Sequence, residues 1–147
     1  MAEAKGRADV AVFAAIGAIE RLAAQRMERV LPAGLSSTGL DLLNQLAMAA
    51  APPTPQALAA ALRLSKPAIT HTLHRLERLG LVAIAADPDD GRRKRVSLTP
   101  SGLDVHRAAL LAVRPQMESV RAAFGPEAFA AALPFLAGLA SWLGANP

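Results

Sequence analysis

The side chains that could do chemistry are concentrated between residues 63 and 95 of this 147-residue chain. This stretch holds eight Lys and Arg residues against four Asp and Glu residues, and its net charge of +4 equals the formal net charge of the whole chain. A localised positive excess suits a surface that binds phosphates, because phosphates carry fixed negative charge. The alternative is a basic face that is merely solvated, so the charge alone leaves both interpretations open.

The histidines are the candidates for a metal or catalytic site. His71 and His74 are three residues apart, so a helix would place them on one face, and His106 is the third histidine. No further ligand stands at metal-binding spacing, although Asp104 could contribute if its helix packed nearby. The absence of cysteine excludes disulfides, Cys-ligated zinc and thiol redox sensing. The sequence also has no glycine-rich phosphate loop and no nucleophile elbow, so we predict no enzyme, no cofactor and no metal.

Residues 65–80 carry the start and stop signals of one short amphipathic helix. Ser65 is a helix N-cap, Pro67 is tolerated in a first turn, and Gly80 favours a left-handed stop. The apolar residues recur every three or four positions and are predicted to be buried: Ile69, Leu73, Leu76 and Leu79.

The opposite face of this predicted helix is polar. It carries Lys66, Pro67, Thr70, His71, His74, Arg75 and Arg78. Thr70 and His71 can form hydrogen bonds with base edges in a DNA groove. Lys66 and Arg75 are better placed for phosphates, which fix the register of a protein on DNA without reading its sequence.

A β-hairpin with a basic tip is predicted after this helix. Leu81–Ala85 is short and apolar, Asp87–Gly91 has strong turn chemistry, and Arg95–Leu98 alternates as a returning strand. Four consecutive cations, Arg92 to Arg95, follow Gly91. Such an arm can lie along a DNA backbone or insert an arginine into a narrow minor groove. Although a solvated tip is the alternative, the order of short helix, turn, basic helix, glycine stop and basic hairpin favours DNA binding.

Further helices are predicted on both sides of this centre. In the second of them, Leu40, Leu43, Leu46 and Ala47 are expected to face inward. We expect Pro115 to kink or break the helix that contains it, and the last helix also holds a proline, Pro134. The predicted helices span about 9–30, 37–51, 54–62, 101–123 and 127–143.

The motifs in the centre of the chain resemble those of a known family. The segments Leu64–Thr70, Arg75–Val82, Asp87–Arg92 and Val96–Gly102 occur in this order. They are similar to the start of the recognition helix, its RLExxGLV end, the wing, and the entry to the next helix in the MarR family of bacterial winged-helix regulators. The joined motifs are specific, and the helical layout extends the likeness to nearly the whole chain.

The resemblance implies a mainly α fold with a small β-hairpin wing, in which N- and C-terminal dimerisation helices flank a winged helix-turn-helix. The implied boundaries are 1–34 for an N-terminal dimerisation helix, 35–99 for the DNA-binding lobe and 100–147 for C-terminal dimerisation helices. The apolar residues of 10–30 and 101–143 also predict a dimer, because the small wing lobe cannot cover them.

The resemblance further implies an obligate homodimer that binds a pseudo-palindromic operator in double-stranded DNA, usually as a repressor. It makes Thr70 and His71 base-contacting residues and Arg92 the wing arginine, steadied by Asp87 or Asp90. With the basic face described above, the predicted DNA-binding set is Lys66, Pro67, Thr70, His71, His74, Arg75, Arg92, Arg93 and Lys94. Many family members release DNA on binding a small aromatic or phenolic ligand. Here the sequence has no Tyr, four Phe and one Trp, which suits an apolar or aromatic effector without identifying it.

Two residues depart from the pattern of the family. Arg63 stands where glycine is common, so either it adopts a left-handed conformation at a cost of about 1 kcal/mol or the turn differs from that of the family. His71 replaces a frequent arginine, which would alter the base preference and leaves open whether DNA binding is sensitive to pH.

We expect a cytoplasmic protein that does not contact a membrane. The first twenty residues mix acids and bases and lack the apolar segment of a signal peptide, and the apolar run Leu46–Pro53 is too short to span a bilayer. The alternative function is a winged-helix dimer that binds a protein partner and has lost DNA binding.

Overall fold

A computed structural model describes residues 7–146, so the first six residues of the expected 1–34 segment lie outside the described part of the chain. Within residues 7–146 the chain forms helices and one β-hairpin in the predicted order. The mainly α fold with a small hairpin is therefore confirmed. The elements are α1 (Ala8–Glu28), α2 (Ser37–Met48), α3 (Pro55–Leu62), α4 (Lys66–Arg78), β1 (Val82–Ala86), β2 (Lys94–Leu98), α5 (Pro100–Phe124) and α6 (Pro126–Ala145).

Three hydroxyl caps explain where α2, α3 and α4 begin. The side chains of Ser36, Thr54 and Ser65 each accept a hydrogen bond from the backbone N–H three residues further along. These bonds are 3.0, 3.1 and 3.3 Å long, respectively. A cap of this kind satisfies a backbone donor that has no partner within the helix, so the start of each helix is encoded locally.

Left-handed residues end α3 and α4. Arg63 has φ 53° and ψ 40°, and it is the one non-glycine residue with positive φ in the described part of the chain. Gly80 has φ 73° and follows α4, as its sequence position predicted. An arginine therefore adopts the turn conformation that glycine would adopt at lower cost.

A first compact unit ends at Val113 and contains the wing and the helices packed under it. Its core includes side chains that are almost fully buried: Leu42, Leu43, Leu58, Ile69, Leu73, Leu76 and Val96. Two residues predicted to face inward do not. Ala47 is exposed whereas Leu42 is buried in α2, and Leu79, the residue after the end of α4, is 45% exposed although its backbone is still helical.

The hairpin joins the core through β2. Strands β1 and β2 are antiparallel, with Ile84 opposite Val96 and Ala86 opposite Lys94. The N–H of Val96 points away from β1 and donates to the carbonyl of Pro53 at 2.9 Å. The wing is therefore attached to the linker that precedes α3.

A second compact unit begins at Arg114 and contains the end of α5 together with α6. The expected break at Pro115 is absent, because α5 runs without interruption from Pro100 to Phe124. In the described part of the chain, α6 is the one helix that is long and apolar enough to cross a membrane, judged by length and composition alone. Its mean hydropathy is 1.6, and none of its apolar stretch is buried. The sequence expectation, which considered Leu46–Pro53, overlooked this helix; one such helix is weak evidence for a membrane span, because the core helix of a soluble protein meets the same criteria.

Candidate nucleic-acid interface

One face of α4 is held in the core and the other is free. Ile69, Leu73 and Leu76 are buried, and they stabilise the orientation of the helix. Thr70, four residues after Lys66, is partly exposed on the opposite side. The remaining polar-face residues are exposed: Lys66, Pro67, His71, His74, Arg75 and Arg78. A recognition helix needs this arrangement, in which one face is packed firmly in the core and polar side chains on the other face point outward.

The turn between the strands of the wing is held by its own backbone and by two aspartates. The N–H of Asp87 donates to the carbonyl of Arg93 at 2.9 Å, and the N–H of Arg93 donates to the carbonyl of Asp90, also at 2.9 Å. The side chain of Asp90 accepts from the N–H of Arg92 at 3.1 Å. The backbone of the tip is thus defined, while its three cations, Arg92, Arg93 and Lys94, are exposed.

The two aspartates have different partners. Asp90 steadies Arg92 through the backbone, and its carboxylate pairs at 3.5 Å with the guanidinium of Arg93. Asp87 is buried, and its carboxylate pairs with Arg95 at 2.7 Å. The N–H of Asp89, followed by the guanidinium of Arg95, holds the pKa of Asp87 below its ordinary value of 3.8, because both interactions favour the charged carboxylate.

Side chains from α3, α4 and the wing line a groove on the first unit. It consists of three depressions that share Pro55 and Lys66, with volumes of about 370, 350 and 340 Å³. The wing side is lined by Thr54, Pro55, Gln56, Lys66, Arg92, Arg93 and Lys94. The α4 side is lined by Pro55, Lys66, Thr70, Leu73, His74, Glu77, Ile84 and Lys94.

The groove contains six of the nine residues predicted to bind DNA. Lys66, Thr70 and His74 come from α4, and the three wing cations come from the hairpin. Pro67, His71 and Arg75 do not line it but lie exposed on α4. Sequence analysis assigned no functional role to Pro55 or Gln56, whose place in the groove depends on how α3 packs beside α4. Their only local signal was the helix cap that precedes them.

The histidines do not form a metal site. No cluster of three or more potential ligands of this kind occurs within residues 7–146. His106 is buried and its Nε2 lies 2.6 Å from Oδ1 of Asn44, whereas His71 and His74 are exposed on α4. The exposed pair on α4 is therefore available for hydrogen bonds, whereas His106 takes part in the core.

Comparison with known proteins agrees with this geometry. A model of the MarR family matches residues 33–93, which include α2, α3, α4 and most of the wing. A solved structure of a probable transcriptional regulator from Pseudomonas aeruginosa is 31% identical, covers 84% of this chain and 96% of its own, and has a TM-score of 0.72. The chain belongs to the MarR family. Its fold is that of the transcriptional regulators in this family, as the motifs in residues 64–102 predicted.

More distant MarR-family structures share the fold. Escherichia coli MarR, solved as a mutant complexed with operator DNA, is 20% identical with a TM-score of 0.81, and the match covers 90% of this chain and 96% of that one. The PcaV regulator of Streptomyces coelicolor, solved with its natural ligand, is 21% identical with a TM-score of 0.78, covering 86% and 89%. No curated protein sequence matches the chain significantly.

Proposed function

We propose that this MarR-family protein binds double-stranded DNA sequence-specifically and regulates transcription, as a dimeric repressor that a small molecule releases. One observation carries the proposal: the polar face of α4 and the cations of the wing line the same groove. The wing side of that groove has four cations and no acidic residue in its lining. Such a surface matches the fixed negative charges of a DNA backbone.

The predicted DNA-binding residues divide into two roles. Thr70 and His71 are assigned to base edges, because they project from a helix that can enter a major groove. Pro67 and His74 flank them on the same face. The cations are assigned to phosphates, with Arg92 as the one that enters the minor groove: Lys66, Arg75, Arg92, Arg93 and Lys94.

Exposed apolar side chains support a homodimer. Phe13 and Leu22 on α1 are 50% and 60% exposed, and Trp142 on α6 is 61% exposed. Large apolar surfaces on a single chain mark an interface. A second copy of the chain would cover them, so we assign 1–34 and 100–147 to dimerisation and 35–99 to DNA binding. The two lobes of the dimer would bind the two halves of a pseudo-palindromic operator in the cytoplasm.

The composition of the chain favours an apolar or aromatic effector. Among the described residues of the second unit, a depression of about 350 Å³ is lined mainly by apolar groups, including Met117, Val120 and Phe129. Its exposed lining is equally suited to contact with a second chain, so it does not locate the effector. We assign no catalytic role and no cofactor to the protein.

DNA binding is tested by fluorescence anisotropy with a labelled duplex from the region upstream of the gene and a scrambled duplex of equal length. We expect the upstream duplex to bind at least a thousandfold more tightly. The affinity should also fall steeply with salt, as the release of counterions from several phosphates requires. Light scattering at micromolar concentration should give the mass of a dimer.

Equal affinity for the two duplexes, or no binding at any salt concentration, would contradict the proposal. A dimer that failed to bind DNA but retained a specific protein partner would instead support the alternative function. The variant Arg92→Ala, folded as wild type by circular dichroism, should bind more weakly, and an unchanged affinity would show that the wing contact is misassigned.

A further inference from the structure

The fourth cation of the wing is oriented differently from the three before it. The Arg95 side chain is 39% exposed, compared with 68% for Arg93. Its Nε donates to Oδ2 of Asp87 at 2.7 Å, and its Nη1 donates to the carbonyl oxygen of Pro52 at 3.1 Å. Arg95 therefore connects the wing to a segment that lies 43 residues earlier in the chain.

The carboxylate of Asp87 accepts hydrogen bonds both from the turn of the wing and from Arg95. Its Oδ1 accepts from the N–H of Asp89 at 2.9 Å and so holds the turn of the wing, while its Oδ2 accepts from Arg95. The side chain is 6% exposed, so little water competes for these bonds. A hydrogen bond between two charged groups is about twice as strong as a neutral one. The turn and the arginine are consequently fixed to each other.

The linker on the other side of Arg95 is itself stiff. The carbonyl of Pro52 accepts from Arg95 and the carbonyl of Pro53 accepts from the N–H of Val96. Two consecutive prolines restrict the backbone, because each ring fixes φ. The next residue, Thr54, caps α3 and lines the wing side of the groove. The base of the wing is thus attached to the segment from which α3 begins.

We infer that Arg95 is a positioning residue for DNA binding, which fixes the wing relative to α4 and does not itself contact DNA. The inference rests on the proposed DNA-binding function. Because Asp87 and Arg95 act together, the carboxylate should increase the affinity for DNA although its charge repels phosphate. Simple electrostatic attraction predicts the opposite change in affinity, because the loss of an acid near DNA would strengthen binding. The effect of removing the Asp87 carboxylate therefore distinguishes positioning from attraction.

The test uses full-length protein and a duplex selected by the wild-type protein from a random library. Binding of Asp87→Asn, Arg95→Met and Arg95→Lys is measured by fluorescence anisotropy, at a temperature where circular dichroism shows every variant folded. We expect Asp87→Asn and Arg95→Met to bind at least fivefold more weakly. Arg95→Lys should recover at most part of the loss, since an ammonium keeps the charge but cannot reproduce the fork of a guanidinium.

A double-mutant cycle with Arg92→Ala distinguishes positioning from a general loss of stability. In the wild-type background this substitution should weaken binding, whereas in the Arg95→Met background it should weaken binding less than twofold, because the tip is no longer held in place. Arg107→Met, an equal change in charge at an exposed position of α5, is the matched control and should change affinity less than twofold.

The outcomes separate this inference from the proposed function. No DNA binding by the wild-type protein would overturn both. Normal wild-type binding with an Asp87→Asn variant that binds equally well or more tightly would overturn the role of Arg95 alone. Full recovery in Arg95→Lys, or additive losses in the cycle, would show that Arg95 is a phosphate contact. If Arg95→Met failed to fold, Arg95→Lys and Asp87→Asn would provide the same comparison with Arg92→Ala.

Discussion

The Thr99 hydroxyl joins the end of α4 to the start of α5. Its Oγ1 donates to the carbonyl of Gly80 at 2.6 Å and accepts from the N–H of Gly102 at 2.9 Å. The N–H of Thr99 also donates to the carbonyl of Leu81 at 3.1 Å. One residue therefore satisfies polar groups after the end of α4 and at the start of α5, which explains the threonine and glycine of the motif Val96–Gly102.

Thr99→Val should lower the free energy of unfolding by about 1–2 kcal/mol, because it keeps the shape of the side chain but removes a helix cap and a second hydrogen bond. Urea unfolding followed by circular dichroism measures the change at one fixed protein concentration. Thr99→Ser retains the hydroxyl and serves as the control. An equally large loss in Thr99→Ser would show that the methyl group, and not the hydroxyl, stabilises this junction.

Gly102→Ala should destabilise the protein more than the addition of one methyl group would suggest. A Cβ at Gly102 would lie 1.9 Å from the carbonyl oxygen of Leu81, a backbone atom, and 3.1 Å from the side chain of Leu98. We expect the free energy of unfolding to fall by about 1–3 kcal/mol or more, as in other overpacked sites. Ser101→Ala, at the exposed position before it, should change stability by less than about 0.5 kcal/mol in the same urea titration. Similar stabilities for the two variants would contradict the close approach.

Arg63→Gly should stabilise the protein by about 1 kcal/mol, because it relieves the left-handed conformation at φ 53°. The greater freedom of glycine in the unfolded chain offsets part of this gain. Thermal unfolding at a fixed protein concentration measures the net effect. Ala60→Gly, an exposed position within α3, is the matched control and should lose about 1 kcal/mol. Equal losses in both variants would mean that the arginine side chain stabilises the turn more than its backbone strains it.

Elements with local signals could be predicted from the sequence. The caps Ser65 and Thr54 lie next to the helices they begin, and Gly80 lies at the end it defines, so α3 and α4 were predicted within about a residue. The resemblance to the family left two possibilities at Arg63, a left-handed residue or a different turn, and the structure has the left-handed residue. Information of this kind is contained in a few consecutive residues.

Features that depend on distant contacts could not be predicted. Arg92 to Arg95 form one run of cations in the sequence. In the structure the last of them differs from the others, because its side chain donates a hydrogen bond to the carbonyl of Pro52. Leu79 follows the apolar period of α4 and keeps a helical backbone, yet it is 45% exposed. Nothing in the neighbouring sequence distinguishes Arg95 from the other cations, because its partner Pro52 lies 43 residues earlier in the chain.

Acid should weaken the attachment of the wing through Asp87. Its pKa in the folded protein lies below 3.8, so its contribution to stability is complete above that value and is lost as the pH falls through the lower, folded pKa. We expect the thermal midpoint of the wild type to drop more steeply below pH 4 than that of Asp87→Asn, which should already be less stable at pH 7. Asp89→Asn, an exposed neighbour, should retain the wild-type slope. Parallel curves for wild type and Asp87→Asn would contradict the role of the carboxylate.

Lys66 and Thr70 lie one turn apart in α4 and line the same groove, yet they should affect DNA binding differently. Lys66→Ala should weaken binding to specific and scrambled duplexes alike and reduce the salt slope by about one, because a phosphate contact is lost. Thr70→Val should leave the salt slope unchanged but relax discrimination at one base pair by about 1–3 kcal/mol. Anisotropy titrations over a series of singly substituted operators measure both effects. Arg107→Ala, an exposed cation on α5, is the control for charge and should change neither quantity. Loss of sequence preference in Lys66→Ala, with a normal salt slope, would reverse the two assignments.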